Sequence, residues 1–482
     1  MDILPDEIIS DAFQLLDYSS LLAARLSCKR FYGITKSRQI WLNLLQNLKE
    51  DFGYVIPDGD NSYSDDELER WVSRRYQVAY KMDMASGPSG SPLKFEIRDV
   101  SQLEMDLGQA VVDILPGGRW LMFSNGQRFF PGHMPMVFLL DMEVPPSHSN
   151  PMMLYDSRPF SSGEGLSFFD MRYWIDRSKP QLSLLLASCL SREGLLRNCI
   201  TRVELAGHGS HAIFHSQPHA TIKYNLGSID PEAVALNDRW FVVVEKSQNA
   251  GHSIIRIMNY SAVIGDSDYP TVEYRQLHFA DLPYRNAAEF VHENILVLLS
   301  QTKLYVFEVV DSNTSSINIH QLHCVPVAAS FTLGSPFRHY PGFSRATVYE
   351  YNHSFSTLVV LHDKSKLPTI LKTEKEEFRD TGVNQRLPGK MEELIQGLSW
   401  SVTYDINWRT DILESPEIVR HEWDLATSQF KKGWKSQAVP LPRMWPPPRN
   451  LLAFSEEVGR LVLLRAPDDY SKASTITVVD II

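Results

Sequence analysis

The sequence has little cysteine and lacks the closely spaced cysteine pairs that zinc sites use. Its 482 residues include four cysteines, at Cys28, Cys189, Cys199 and Cys324, and none belongs to a C-x-x-C motif. Small disulfide-dependent domains carry a far higher proportion of cysteine, and structural zinc sites draw on paired ligands. We therefore expect a reduced protein with neither a disulfide scaffold nor a structural zinc site.

Long basic and long apolar runs are missing as well. The net charge is -11, no run of Lys and Arg exceeds two residues, and the longest apolar stretch, 182–190, contains two serines. Nucleic acids and anionic membranes bind positive surfaces, and a membrane-spanning helix needs about 20 apolar residues. The first residues also lack the basic and apolar segments of a signal peptide. We expect a protein of the cytoplasm and/or nucleus that binds neither nucleic acid nor membrane.

The first fifty residues have a helical pattern. Pro5 occupies a favourable first-turn position and is followed by the acidic residues Asp6 and Glu7, which suit the amino end of a helix. Apolar residues then recur at helical spacing in three short stretches. So small a core cannot bury this much apolar surface. The pattern predicts either a module that completes its core against a partner protein, or helices that dock on the rest of the chain.

The order of these residues resembles the F-box. The resemblance rests on Leu4-Pro5-x-Glu7-Ile8-Ile9, on Leu26-x-Cys28-Lys29-x-Phe31 and on Trp41, in order and at family spacing. It covers residues 3–48, about a tenth of the chain. It implies a three-helix module that binds the Skp-type linker protein of cullin–RING ubiquitin ligases. Carried onto this sequence, it assigns the linker contact to Leu4, Pro5, Ile8, Ile9, Leu21, Leu22 and Leu26, and the packing of the helices to Phe13, Leu16, Phe31 and Trp41.

Residues 49–92 form the predicted linker between this module and the rest of the chain. Residues 57–63 are acidic and rich in turn-forming residues, and Ser64 then precedes Asp65-Asp66-Glu67, which is a helix start signal. Helical spacing continues to about Lys81, and the Gly, Ser and Pro residues of 85–92 predict a flexible stop. We expect one helix that packs between two main bodies.

Residues 93–482 have a repeated β pattern. Short apolar strands alternate with turn-forming residues, and four strands begin with Arg or Asn before four apolar residues, at Arg119, Arg239, Asn294 and Arg460. A second apolar strand follows each of them. With weaker strands at 181–185, 357–361 and 401–404, seven anchors span 341 residues, an average spacing of about 57. A period of this size is typical of propeller blades.

The predicted fold is therefore mainly β, with an N-terminal three-helix module and a linker helix before a β-propeller of about seven blades. The propeller region, 93–482, resembles the WD-repeat family, and the spacing leaves six or eight blades open. The chain ends two residues after the strand that closes at Asp480, which leaves the last blade one strand short. The extended segment 93–98 is the predicted missing outer strand, which would close the ring and cover a free edge.

Few residue clusters point to chemistry. His208, His211, His215 and His219 are the densest histidine cluster, but no carboxylate or cysteine lies among them, and Gly209 and Pro218 break any helix that would align them. Residues 207–212 fit G-x-G-x-x-A, yet a strand-like segment follows where a dinucleotide site needs a helix. No P-loop, H-E-x-x-H or G-x-S-x-G motif occurs. We predict no catalytic residue, no metal and no cofactor.

Three further features each allow two interpretations. The Pro-rich segment 440–448 predicts either a rigid connection between the last blades or a polyproline ligand. Five tryptophans between 400 and 445 either pack in the core or anchor a substrate on an exposed face. A domain that binds phosphorylated targets needs several arginines that converge on one face. Equivalent strands begin with Arg119, Arg239 and Arg460, but equivalent positions around a ring do not by themselves converge.

Two functions remain. The F-box resemblance implies a substrate-recognition adaptor of an SCF-type cullin–RING ubiquitin ligase, with the helices on the linker protein and the propeller on an unknown target protein. This adaptor acts by proximity and is not an enzyme. The alternative is a propeller-based scaffold or hydrolase outside the ligase. An exposed helical face at residues 4–26 favours the adaptor, and a polar pocket at the channel with that face buried favours the alternative.

Overall fold

A computed structural model describes the chain in segments. These segments are residues 4–52, 59, 62–85, 92–103, 112–124, 136–144, 151–156, 167–179, 181–192, 195–207, 211–225, 229–247, 253–260, 266–267, 274–279, 287–300, 302–311, 317–327, 332–333, 337–349, 355–372, 390–396, 400–407, 412–420, 423–424, 429–430, 439–440, 450–465 and 474–482.

Five helices occupy the start of the chain. Their bounds are α1 Asp6–Phe13, α2 Tyr18–Ser27, α3 Lys29–Ile34, α4 Arg38–Phe52 and α5 Asp65–Ala85. The module thus has four helices where the pattern predicted three, because the second is interrupted at Cys28. The backbone of Cys28 is extended, with φ -159° and ψ 161°, and its Sγ accepts a hydrogen bond from the amide of Phe31. Within the described segments, no helix is long and apolar enough to cross a membrane.

Side-chain caps begin two of the helices, and the start predicted at Ser64 is confirmed. The carboxylate of Asp17 accepts a hydrogen bond from the amide of Ser20 at 2.8 Å, which begins α2. At α5, the hydroxyl of Ser64 accepts from the amide of Glu67 at 3.4 Å, and the carboxylate of Glu67 accepts from the amide of Ser64 at 2.9 Å. This reciprocal pair satisfies two amides that a helix start otherwise leaves unpaired.

The first four-stranded sheets lie in chain order after β1 (Phe95–Leu103), which belongs to the last sheet. The first sheet is β2 Val112–Ile114, β3 Trp120–Ser124, β4 Met136–Asp141 and β5 Met152–Asp156. The second is β6 Ser167–Ile175, β7 Ser183–Arg192, β8 Leu195–Ala206 and β9 Ile213–Asn225. The third is β10 Ile229–Leu236, β11 Trp240–Ser247, β12 Ser253–Asn259 and, after β13 Asp266–Ser267 on the edge of β9, β14 Tyr274–Phe279.

The remaining sheets follow the same order. The fourth is β15 Ala287–His292, β16 Ile295–Leu299, β17 Lys303–Asp311 and β18 Ile317–Pro326, and the fifth is β19 Thr332–Leu333, β20 Arg338–Tyr340, β21 Phe343–Tyr349, β22 Phe355–Leu361 and β23 Thr369–Lys372. The sixth is β24 Lys390–Gln396, β25 Trp400–Asn407, β26 Ile412–Arg420 and, after the hairpin of β27 Trp423–Asp424 and β28 Gln429–Phe430, β29 Val439–Pro440. The last is β30 Asn450–Ser455, β31 Arg460–Arg465, β32 Ser474–Ile481 and β1.

These sheets are the blades of a β-propeller, and the first strand of each is the innermost. β30 lies beside β2, β6 beside β10, and β10 beside β15. The hydrophobic cores lie between neighbouring blades, so β3 and β16 are buried along their whole length. The predicted mainly β fold with a propeller is confirmed. Side chains are described for six blades, and the sheet of β24, β25, β26 and β29 is described by its backbone.

The predicted repeat is correct at six of its seven anchors and wrong at one. Six anchors fall on the second strand of a blade, namely β3, β7, β11, β16, β25 and β31. The segment 357–361 instead lies in β22, the third strand of its blade, and the second strand there begins at Phe343. Both strands are buried between neighbouring blades, so an apolar run does not distinguish them.

The closing strand is confirmed. β1 pairs antiparallel with β32 from Phe95 opposite Ile481 to Leu103 opposite Ser474, with an irregularity between Asp99 and Ser101. Val100 is fully buried in the core shared by the last and first blades. The strand runs beyond the predicted segment to Leu103, and it covers the edge that β32 would otherwise expose.

The Arg or Asn residues that begin the second strands have a structural role. Arg119 Nη2 donates to Asp141 Oδ2 at 2.6 Å, and Arg460 Nε donates to Asp480 Oδ1 at 2.6 Å. In the fourth blade, Asn294 Nδ2 donates to the carboxylate of Glu308 at 3.3 Å. Each pair joins the start of the second strand to the third strand of the same blade. Arg119 and Arg460 are buried and bound to carboxylates, so these two do not form a phosphate-binding surface.

Helix α5 packs between the helical module and the propeller, as predicted. On the module side, Leu68 and Val72 join its core. On the propeller side, Arg75 Nη2 donates to the carbonyl of Gly117 at 2.9 Å, and Val78 faces the turn at Gly459. Gly459 has a left-handed φ of +60°, and a Cβ there would lie 2.8 Å from Val78 Cγ1. Glycine at this turn therefore permits the close approach of the helix.

Candidate functional site

The helical module exposes several of the residues assigned to linker contact. Leu4, Ile8 and Leu26 are 49%, 53% and 86% exposed, and Pro5 is exposed too. Soluble monomers rarely leave large contiguous apolar patches in water, and such residues mark interaction surfaces. These four residues are available to a partner.

The other three residues assigned to linker contact are less accessible. Leu22 is half-buried, while Ile9 and Leu21 are buried in the core of the module. Ile9 lies four residues before Phe13 on the inward face of α1, whereas Ile8 points away from that core. In this conformation, Ile9 and Leu21 stabilise the helices that present the exposed residues.

The residues assigned to packing lie in or against that core. Phe13 and Trp41 are buried, and Leu16 and Phe31 are half-buried against them. The rings of Phe13 and Phe31 meet edge to face, with centroids 5.1 Å apart, and Trp41 Nε1 donates to the carbonyl of Thr35 at 2.9 Å. Because α5 completes this core, docking on the rest of the chain accounts for one face of the module and leaves the other exposed.

Two exposed apolar residues of the module were not predicted. Leu15 is 87% exposed and Tyr32 is 49% exposed. Arg30 holds the start of α1 beside α3, since its guanidinium donates to the carboxylate of Asp6 at 2.8 Å and to the carbonyl of Leu4. Apolar spacing alone gives no signal for Leu15, because its neighbour Leu16 fits the inward face equally well.

A second candidate site is a cavity of about 680 Å³ at one end of the propeller channel. The innermost strands β2, β6, β15, β20 and β30 line it with their carboxyl-terminal ends and the turns that follow. Residues 117 and 459, which contact α5, also lie in turns that follow the first strand of a blade. The cavity therefore lies at the end of the channel that faces the helical module.

The cavity wall is polar and carries more negative than positive groups. Its described lining includes seven carboxylates, three arginines and three histidines. At its centre is Asp113, which is 4% exposed and accepts from Arg338 Nη2 at 2.7 Å and from the hydroxyl of Tyr173. Burial, followed by the charge of Asp113, raises the pKa of Tyr173 well above its usual value, so Tyr173 remains the proton donor.

Two further carboxylates in the wall are held by backbone amides. Glu289 accepts from the amide of Phe337 at 3.0 Å, and Glu457 accepts from the amide of Gly117 at 2.9 Å. Burial is the main cause that raises the pKa of Glu289 to about 7, with Asp113 adding to it and Arg172 opposing it. Burial likewise raises the pKa of Glu457. Carboxyl groups with raised pKa values in a cleft mark candidate functional sites.

A serine between two histidines also adjoins the cavity. His339 Nδ1 and His362 Nε2 each lie 3.0 Å from Ser344 Oγ, and that hydroxyl donates to the carbonyl of Val291 at 2.6 Å. A hydroxyl has one proton, so both imidazoles donate to Ser344. A nucleophilic serine requires the reverse, with its proton directed to the histidine. This network therefore fixes side chains and does not support hydrolysis.

The protonation of these histidines is consistent with that role. Burial, followed by the charge of Arg177, lowers the pKa of His339 well below its usual value. Burial, followed by the neighbouring His292 and then Arg177, lowers the pKa of His362 to about 4. The rings of His292 and His362 stack with centroids 4.1 Å apart. Near neutral pH these imidazoles are uncharged and add no positive charge to the cavity.

The sequence features that suggested other chemistry are not brought together. In the histidine cluster, His211 and His215 are exposed and His219 packs edge-on to the ring of Tyr260 at 5.8 Å, while His208 lies outside the described residues. Among the described residues, no group of three histidines, cysteines or carboxylates could hold a metal. The residues after the G-x-G-x-x-A match form the strand β9. Residues 441–448 of the Pro-rich segment lie outside the described residues.

Sequence reasoning missed the cavity residues altogether. Asp113, Glu289 and Glu457 come from three different blades and stand 176 and 168 residues apart. Each follows or lies within an innermost strand, and no local motif relates them. An alignment of the repeats that located the first strand of every blade would have pointed to these residues. The sequence pattern identified the second strands instead.

Comparison with known proteins supports the helical module directly. Residues 1–47 match the F-box-like family. No curated protein matches the chain as a whole.

Solved structures resemble the propeller distantly. They include a chain of S. cerevisiae core factor, 9% identical with a TM-score of 0.40 over 81% of this chain, which spans 57% of that chain. The β-propeller domain of Cps50 (Swd1) from Myceliophteria thermophila is 10% identical with a TM-score of 0.40, over 79% of this chain and 99% of that one. A mutant of AofleA from Arthrobotrys oligospora, with arginines replaced by alanine, is 13% identical with a TM-score of 0.33, over 74% and 93%. By the family match at residues 1–47 and by its own sheets, the protein combines an F-box-like domain with a β-propeller.

Proposed function

We propose that this protein is the substrate-recognition subunit of an SCF-type cullin–RING ubiquitin ligase. Its F-box-like module binds the Skp-type linker protein, and its propeller binds a target protein. One observation carries the proposal: the F-box-like match at residues 1–47 falls on helices that keep Leu4, Ile8 and Leu26 exposed. A linker protein would cover this apolar surface, in the cytoplasm and/or nucleus.

The proposed contribution to ubiquitin transfer is proximity. Helix α5 is held by both regions, by Leu68 and Val72 in the module core and by Arg75 at the propeller. A rigid connection sets the distance and angle between the linker protein and a bound target. Holding the target near the ubiquitin-charged enzyme raises the effective concentration of its lysines. The chain itself performs no covalent step.

Co-purification with the ligase components tests this proposal. We would co-express the full chain with a eukaryotic Skp-type linker, a cullin and a RING subunit, and capture the chain. Wild type is expected to retain all three in stoichiometric amounts. Ile8→Asp places a charge on the exposed apolar surface and is expected to lose them. Ile213→Asp, on β9 of the propeller, is the matched control because the two isoleucines are 53% and 49% exposed.

The alternative is a scaffold that acts outside the ligase, and the polar cavity favours it. The alternative also requires that the helical face at residues 4–26 is buried, but the apolar face of the module remains exposed. A hydrolytic version also lacks an activated serine in the described channel, as Ser344 donates its proton to a backbone carbonyl. If folded wild-type protein captures no linker protein, the scaffold replaces the adaptor.

A further inference from the structure

We propose that the cavity at the end of the channel binds a basic segment of the target protein and receives an arginine or lysine side chain. This inference rests on the adaptor function proposed above, since it names the chemistry of the target. It commits to a protein segment as the occupant, on the grounds of charge, size and ring surfaces in the cavity wall.

The first ground is an excess of carboxylates over arginines. Three arginines line the wall. Arg338 is paired with Asp113 at 2.7 Å. Arg172 Nε donates to the carbonyl of Val234 at 3.1 Å, and Arg177 donates to the carbonyl of His339 at 3.2 Å. Seven carboxylates line the same wall, and Arg75 and Arg345 add positive charge beside Glu457 and Glu456. The carboxylates still outnumber these arginines. Near the mouth, burial and then the charges of Asp176 and Glu293 raise the pKa of Asp238, so a cation is the complementary ligand there.

The second ground is the state of two half-buried carboxylates. In the described part of the chain, Glu289 and Glu457 form no salt bridge, and each accepts from one backbone amide. The groups that face Glu289 from neighbouring strands are Asp113, Arg172, Tyr173 and Arg338. Arg75, Arg177 and Arg338 face Glu457. Burial favours the protonated form of both carboxyl groups, and an inserted cation would stabilise their charged forms instead.

The third ground is the size and surface of the cavity. A volume of 680 Å³ lies within the range of about 300–1,000 Å³ that encloses small ligands, so the end of a peptide loop fits. Tyr173, Trp174 and Tyr340 contribute aromatic rings, on whose faces guanidinium and ammonium groups bind. Asp238 and Glu293 line the cavity and are exposed, so it reaches the protein surface.

Peptide binding tests the inference on the full chain. The probes are fluorescent nine-residue peptide libraries with random flanks and one fixed central residue: arginine, lysine, neutral citrulline or glutamate. The protein variants are Glu289→Gln, which keeps an acceptor for the amide of Phe337, and Glu293→Gln, at an exposed position. Glu204→Gln is the control, since that carboxylate lies on β8 outside the cavity. Fluorescence anisotropy reports the affinity, and the melting temperature of each variant reports folding.

Wild type and Glu204→Gln are expected to bind the arginine and lysine libraries and to reject the citrulline and glutamate libraries. Either cavity variant is expected to weaken binding about tenfold, because it removes one charge that attracts the basic side chain. Equal binding of the arginine and glutamate libraries would overturn the inference, as would unchanged affinity in a folded Glu289→Gln/Glu293→Gln double variant. Linker capture by the same samples keeps the adaptor proposal separate: a chain that captures the linker protein and ignores basic peptides loses only this inference.

Discussion

Helix α5 joins two regions whose surfaces differ in chemistry. The helical module presents exposed apolar side chains, such as Ile8 and Leu26, around a small local core. The propeller presents a recessed cavity with seven carboxylates in its wall, and its cores are spread between blades. The module suits a permanent partner that buries apolar area, whereas the cavity suits an exchangeable, charged ligand. This division is what an adaptor between a ligase and its targets requires.

The largest expected effect comes from removing the closing strand of the propeller. Replacing residues 95–103 with glycine and serine exposes β32 and removes Val100 and Leu103 from the core. Each buried side chain contributes about 1.5–3 kcal/mol. We expect the propeller transition in calorimetry to fall by roughly 10 °C or more. The module should still capture the linker protein, because its core contains no residue of β1.

Ile97→Asp is the control within the same strand. Ile97 is 42% exposed, so a charge there leaves the pairing with Val479 intact and changes stability by less than about 0.5 kcal/mol. An unchanged transition after replacement of the whole strand would disprove closure by β1.

The next effect is expected at the buried ion pair of the last blade. Arg460 is 1% exposed, and it donates to Asp480 and to the carbonyl of Gly118 in the first blade. Arg460→Ala is expected to destabilise the propeller by about 3 kcal/mol, since it leaves a buried carboxylate short of one partner. Chemical denaturation would measure this. Asn294→Ala removes the neutral equivalent in the fourth blade and should cost about 1 kcal/mol. Equal losses would contradict the charge argument.

A smaller effect should separate the two regions. Arg75→Ala removes the hydrogen bonds to Gly117 and Trp71 and the guanidinium that lies over the ring of Trp71. We expect a loss of about 1–3 kcal/mol, confined to the junction, so that calorimetry resolves two transitions in place of one. Arg70→Ala, on the exposed side of the same helix, should leave the wild-type profile unchanged. A single sharp transition in both variants would show that Arg75 does not couple the regions.

The smallest effect is expected at Glu289 in the cavity wall, and it depends on pH. Burial raises the pKa of Glu289 from 4.5 to about 7, so the folded protein keeps a proton that the unfolded chain releases between these values. The stability that this proton provides is complete below about pH 4.5 and is lost as the pH rises through 7. Glu289→Gln should therefore raise stability at pH 8 by roughly 1–3 kcal/mol and have no such benefit at pH 4. Thermal melts at both pH values measure this difference, and an equal effect at both would refute the pKa argument.

The two regions also differ in how far the sequence predicted them. The helix start at Ser64 follows from a local pattern, because helical order extends only a few residues, and the packing role of Trp41 was implied by the F-box resemblance. The propeller was predictable as a repeat and as a ring closed by β1. The burial of Ile9 and Leu21 was not, since the F-box resemblance assigned both to linker contact whereas they lie in the core of the module. The cavity was not predictable either, because blades distant in sequence supply its carboxylates.

The most direct test of the account is isothermal titration of a purified eukaryotic Skp-type linker protein into three forms of this chain. These are wild type, Leu26→Asp in the module and Leu367→Asp in the propeller, whose leucines are 86% and 63% exposed. The account predicts one-to-one binding by wild type and Leu367→Asp, and binding at least about tenfold weaker by Leu26→Asp, since a charge would be buried in an apolar contact. Equal affinity in all three folded proteins would contradict the assignment of the exposed helical face to the linker protein.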